Sequence, residues 1–169
     1  MSISQALLPE FDHEVATTRK ILDRLPEDKF GWKPSESSMA AGRLASHIAE
    51  MGGWGAVTMT SELFDIAPVG VETPAALNVS THAELMGAFD KLMADTRKAI
   101  ESASDADYMV NWTLAKGGVK ILTMPRIAVM RSFVMNHIIH HRGQLSVYLR
   151  ILGCKIPSIY GPSGDENVF

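Results

Sequence analysis

With 169 residues, 46% of them apolar and 21% charged, the chain has the size and composition of one folded globular domain, which excludes disorder as a whole-chain state. A net charge of −3, from 16 basic and 19 acidic residues, leaves no basic excess for a nucleic-acid footprint, and no Lys/Arg run reads as a membrane tail. Cys154 is the only cysteine, so an internal disulfide and a cysteine-rich structural zinc site are both excluded, and a cytoplasmic location fits best.

The first segment, MSISQALLPEFDHE, lacks the basic and long apolar regions of a signal peptide. From Ser4 to Leu25, Phe11, Val15, Leu22 and Leu25 recur at helical spacing, and Pro26 stops the run. Gly31 and Pro34 then mark a loop. A second helix is expected from Ser38 to Asp65, with Leu44, His47, Ile48, Met51 and Trp54 on one stripe. Gly52 and Gly53 sit inside it at a cost of about 1 kcal/mol each. The Pro-rich stretch 67–79 reads as a crossover connection.

Thr81-His82-Ala83-Glu84 is a capping-box pattern that opens a third helix, with Leu85, Phe89, Leu92 and Thr96 on one face to about Ala103. Over 105–122, Val110, Trp112 and Leu114 alternate with polar residues, Gly117-Gly118 supplies a turn, and Val119 and Ile121 alternate again, which predicts a short hairpin or extended excursion. A fourth helix follows Thr123, with Pro125 in its first turn, and Gly153 ends it after Leu152. The tail CKIPSIYGPSGDENVF is expected to pack as an extended segment. No repeat or linker divides the chain, so residues 1–169 form a single domain and no apolar run reaches the ~18 residues of a membrane span. The expected fold is all-α, a four-helix bundle with one extended excursion before the last helix.

The histidines carry the functional signal. His137 and His141 lie four residues apart in the apolar stripe of the last helix, which brings their Cβ atoms to roughly 5–6 Å. His47 lies in the apolar stripe of another helix, between Leu44 and Ile48. Three imidazoles in one interior are costly to bury unless their nitrogens are satisfied, and a metal ion satisfies one nitrogen of each. A lone histidine in an apolar stripe is more often a hydrogen-bonded core residue, so on spacing alone the two readings stand level. His140 points about 100° away from His141. His82, in the first turn of its helix, is expected to be solvated, and His13 forms a Glu-x-x-His with Glu10 but has no second such pair to make a di-metal site. Glu50, three residues after His47, is read as a solvated helix position, a supporting or fourth ligand being the alternative. Trp32, Trp54 and Trp112 are read as packing residues.

The segment LASHIAEM from Leu44 to Met51, followed by Trp54, resembles the first histidine motif of the DinB-like (damage-inducible) proteins. The segment NHIIHHRGQL from Asn136 to Leu145 resembles their second, HxxxHRGQL, and the ending from Ile156 to Glu166 is similar to the family's closing segment. The resemblance implies an up-down-down-up helical bundle, a homodimer, and a divalent metal, zinc or nickel, on His47, His137 and His141. It also implies relatives that are S-transferases or an isomerase using low-molecular-weight thiols.

Three protein ligands leave a coordination position open, which is the pattern of catalytic sites. The leading expectation is a metal-dependent transferase or hydrolase acting on a small molecule with such a thiol. The alternative is a non-catalytic metal-binding or stress-response dimer.

Overall fold

Ser2 and Gln5 cap the chain's first helix reciprocally, each side chain taking the other's backbone N–H, and α1 runs from Ile3–Asp23. The computed structural model describes residues 1–73 and 75–167; Pro74 of the crossover connection and the last two residues of the tail lie outside them. A short 3-10 turn at Glu27–Lys29 leads through a loop to α2 (Ala41–Thr60). α3 (His82–Ser102) opens on the Thr81–Glu84 capping box, and α4 (Asp105–Met109) is a single short helix capped by Ser104. The last helical run has three parts: α5 (Arg126–Val129), a π-helical stretch at Met130–Met135, and α6 (Asn136–Ile151).

The long helices bury their apolar stripes against one another. α2 packs along α3, α1 lies against α3 and α6, and α2 also meets α6 and the π-helical stretch. Phe11, Leu44, Ile48, Leu85, Phe89 and Leu145 meet in the shared core. Each contributes roughly 1.5–3 kcal/mol by leaving water.

The glycines of α2 explain why that helix is continuous despite their low propensity. A Cβ on Gly52 would overlap Met93, and one on Gly55 would overlap Thr96. Thr96 occupies the gap and donates its hydroxyl to the Gly52 carbonyl, while accepting from Ala56 N–H at 2.9 Å. Close approach of α2 to α3 therefore replaces what the glycines cost in isolation.

The all-α expectation is corrected by a three-stranded mixed sheet, ordered β1-β2-β3. The second helix does not reach Asp65. It ends at Thr60, where the Thr60 and Ser61 hydroxyls donate to the carbonyls of Ala56 and Val57. β1 (Leu63–Asp65) then runs parallel to β2 (Asn111–Lys116), with Leu63 opposite Thr113. β2 pairs antiparallel with β3 (Val119–Pro125), so Pro125 ends a strand and caps a helix rather than lying inside one. A two-residue turn joins them, with φ of +60° at Gly117 and +78° at Gly118, a pairing that glycine alone adopts without strain. Asp65 locks β1 to the hairpin: its carboxylate accepts from the N–H groups of Ala67, Gly117 and Gly118, which holds it below the usual carboxylate range. Trp112, Leu114 and Val129 form a second small core between sheet and helices, with Trp54, Phe64 and Phe133 packed against it.

A charged network fastens the tail. Arg142, 1% exposed, donates to the Glu14 carboxylate at 2.7 Å, to Thr18 and to the Tyr160 hydroxyl at 2.6 Å. Tyr160 in turn donates to Glu14 at 2.9 Å. Among the described residues, no helix is long and apolar enough to cross a membrane.

The α2–α3 contact is testable. Gly55→Ala is expected to lower unfolding stability in urea by about 1–3 kcal/mol, the usual cost of overpacking. Gly87→Ala, at a helical site where a Cβ meets nothing within 4 Å, is expected to be neutral or stabilising.

Candidate metal centre

α2 supplies His47, and α6 supplies His137 and His141 one turn apart, just where those two helices pack. His47 meets the other two rings edge-on, with centroids 5.3 Å from His137 and 4.7 Å from His141, while His137 and His141 are tilted by 34° with centroids 4.6 Å apart. One ring nitrogen from each lies within 4.8 Å of the others, a spacing that could hold a single metal ion. The cluster is buried at His141 and half-buried at His47 and His137.

The outward nitrogens decide what the inward ones are. His141 Nδ1 lies 2.7 Å from Gln144 Oε1, an acceptor, so Nδ1 carries the proton. His47 Nδ1 lies 3.3 Å from the Glu50 carboxylate, which fixes the same tautomer. The Nε2 atoms of His137 and His141 face each other 2.8 Å apart, a distance at which one ring can donate to the other. With the proton of His47 and of His141 on Nδ1, the Nε2 lone pairs of those two rings are free for a cation. The donor set therefore fits a borderline metal that accepts imidazole.

Burial and mutual repulsion act together on the ring charges. Desolvation first, and then the neighbouring His141, His47 and His140, push His137 down to about 4. Desolvation also lowers His141, against the support of Gln144. Both rings are thus neutral, ligand-ready bases near pH 7.

Glu50 corrects the reading of that position as solvated. Its Oε2 accepts from both terminal nitrogens of Arg43 at 3.0 Å and from His47, and its Oε1 accepts from the Leu77 N–H. Its oxygens are taken up behind His47, so Glu50 orients a ring and anchors the 66–80 connection. Gln144 does the same for His141 and also donates to His140 at 3.1 Å. Glu50 and Gln144 both stand three residues after a clustered histidine, one turn along the same helix face. That spacing was readable in the sequence but gives no direction to the side chain.

The other histidines lie elsewhere. His140 is exposed and outside the cluster, as its azimuth predicts. His13 stacks on Tyr160 at 6.4 Å, and Glu10 pairs with Arg131 instead of a metal. His82 is half-buried rather than solvated, with Nε2 3.6 Å from Asp23.

A cavity of about 490 Å³ opens beside His47. Met51, Trp54 and Phe64 line it, with Arg43, Glu50 and Ile66. Trp54 meets Phe64 edge-on at 5.3 Å and stacks on Phe133 at 6.0 Å, and Phe133 meets His137 edge-on at 6.0 Å. An aromatic chain thus runs from the cavity to the cluster, so Trp54 and Phe64 do more than fill the core.

The lowered histidines predict a pH dependence. The unfolded chain takes up a proton on His137 near the ordinary value of 6.5, whereas the folded chain resists until about 4. Metal-free protein is expected to be fully stable above pH 6.5 and to lose stability progressively as pH falls toward 4. Thermal melts of chelator-treated protein at pH 7.5, 6 and 5 check this, with His137→Phe expected to flatten the slope.

Comparison with known proteins places the architecture. A model of the DinB family matches residues 1–167. The chain is 24% identical over 162 residues to the uncharacterised protein YrdA of Bacillus subtilis, covering 94% of this chain and 89% of that one. The crystal structure of a DinB-like protein from Bacillus cereus superposes with a TM-score of 0.70 at 20% identity, covering 94% of this chain and 98% of the other. That of the DinB-like protein YjoA from Bacillus subtilis gives 0.67 at 19% identity, covering 91% and 97%. With the family model spanning nearly its whole length, this chain belongs to the DinB family.

Proposed function

We propose that His47, His137 and His141 hold one divalent ion, zinc or nickel, and that the protein is a metal-dependent enzyme acting on a small molecule. The reaction is transfer or hydrolysis, with a low-molecular-weight thiol as the favoured nucleophile. The observation that carries this reading is the convergence of one ring nitrogen from each histidine to within 4.8 Å, with Glu50 and Gln144 holding the outer nitrogens of His47 and His141. When bound at three neutral imidazoles, such an ion keeps its full positive charge and supplies Lewis acidity that favours thiolate or hydroxide at neutral pH.

The chain's own residues do the rest. Gln144 and Glu50 hold two rings in the binding tautomer, and outer partners of this kind are worth 10–100-fold in metal affinity. The cavity beside His47 offers a substrate a place next to the cluster, with the aromatic side chains of Trp54 and Phe64 in its wall. Cys154 lies outside the cluster, so no protein thiolate competes there for the ion.

Two measurements test the proposal. In metal analysis after loading and desalting, the wild type and His140→Ala are expected to retain about one zinc or nickel per chain. His141→Ala is expected to retain none, and Glu50→Ala and Gln144→Ala to bind about 10–100-fold more weakly. In activity assays, a neutral thiol such as 2-mercaptoethanol with a chlorinated aromatic is expected to give thioether, chloride and a proton. Turnover should depend on the metal and vanish in His137→Ala. A loaded protein inert to thiols and to hydrolysable esters and amides would overturn the catalytic part; equal metal loss in His140→Ala and His141→Ala would overturn the ligand assignment.

A further inference from the structure

The charges around the cavity beside His47 are unbalanced. Arg43 is its one basic residue, against Glu50, Asp65 and Glu72. The Arg43 guanidinium is already committed, with both terminal nitrogens 3.0 Å from Glu50 and one of them 3.2 Å from the Leu77 carbonyl. Asp65 is tied up by three backbone N–H groups and keeps its negative charge, while Glu72 stands exposed. In the metal-free protein, a carboxylate or phosphate entering here meets like charge and no available protein cation.

The rest of the wall is apolar: Met51, Trp54, Phe64, Ile66, Pro68 and Val71. Ile66 and Val71 are exposed although both are large hydrophobic residues, at 37% and 63%. Apolar surface turned toward a concave space gains by being covered. The volume, about 490 Å³, equals that of roughly sixteen water molecules at ~30 Å³ each, room for a small organic body.

We infer that this cavity takes the body of the substrate, and that this body is uncharged and flat, an aromatic or comparable apolar group, with its reacting sulfur or oxygen at the His47 end. Trp54 and Phe64 set that preference by edge and face contact, and in the metal-free protein the acidic lining disfavours an anionic body. As a statement about substrate, the inference rests on the metal-dependent reading above; as a statement about the cavity, it can be tested without a metal.

The experiment uses zinc-free protein and follows the Trp54 indole N–H signal, assigned with Trp54→Phe, during titration with benzyl alcohol, benzoate and benzylamine. Benzyl alcohol is expected to shift the signal saturably, with benzoate at least about fivefold weaker and benzylamine within fivefold of the alcohol. Phe64→Ala is expected to weaken the alcohol. Glu72→Lys, at an exposed position outside the packed core, is expected to raise benzoate binding severalfold relative to the alcohol without altering the melting temperature. Three outcomes overturn the inference: benzoate binding as tightly as the alcohol, benzylamine binding more than tenfold tighter, or no probe moving Trp54. Zinc titration of the same samples keeps the two readings apart. Zinc binding with no response at Trp54 removes the cavity claim alone, and a saturable response without zinc binding removes the metal reading alone.

Discussion

Three imidazoles with one ring nitrogen each within 4.8 Å of the others set the terms for the middle of this protein. Packing of α2 against α6 brings them together. Two of the rings are held from outside by a group on their own helix, His47 by Glu50 and His141 by Gln144. Those bonds satisfy outer nitrogens that are costly to bury unpartnered and fix how the inner ones are presented.

α6 is under a different demand on its other side. Arg142, next in sequence to His141, is buried against Glu14 of α1 and Tyr160 of the tail. A buried guanidinium is tolerated only when its donors are matched, and removing Glu14 would strand it. The tail's Tyr160 completes the match, so the C-terminal segment is tied to α1 through the same helix that carries two of the clustered histidines. Adjacent residues on α6 thus face two separate polar interiors, one built on a buried ion pair, the other on clustered histidines beside a cavity.

The sequence made legible what depends on local repetition. His137 and His141 share a helical face by spacing, His47 sits in an apolar stripe, Thr81 and Glu84 form a capping box, and Gly117-Gly118 marks a turn; the fold uses each of these. What it hid depends on partners far along the chain. β1 is three residues long and becomes a strand only because β2, some fifty residues later, lies beside it, so helical periodicity ran on through it. Glu50 looked solvated because Arg43 and Leu77, which occupy it, arrive from seven and twenty-seven residues away. Trp54 packs against the core as its place in the stripe implies, but a stripe does not show that a cavity lies beside it.

The π-helical stretch at Met130–Met135 has a consequence for how this chain tolerates change in length. A π turn holds about one residue more than an α turn, and one residue of α-helix is 100° of rotation. Deleting any one residue there would let the run close as ordinary α-helix and swing everything before it by that angle relative to the histidine pair. Phe133 would leave its place between Trp54 and His137, and the hairpin that Asp65 pins to the cavity wall would turn with it. Insertions and deletions in the surface loops are absorbed more readily. Here the molecule keeps count: the stretch can change its letters, but a frame of six residues sets the phase between the sheet and the histidines.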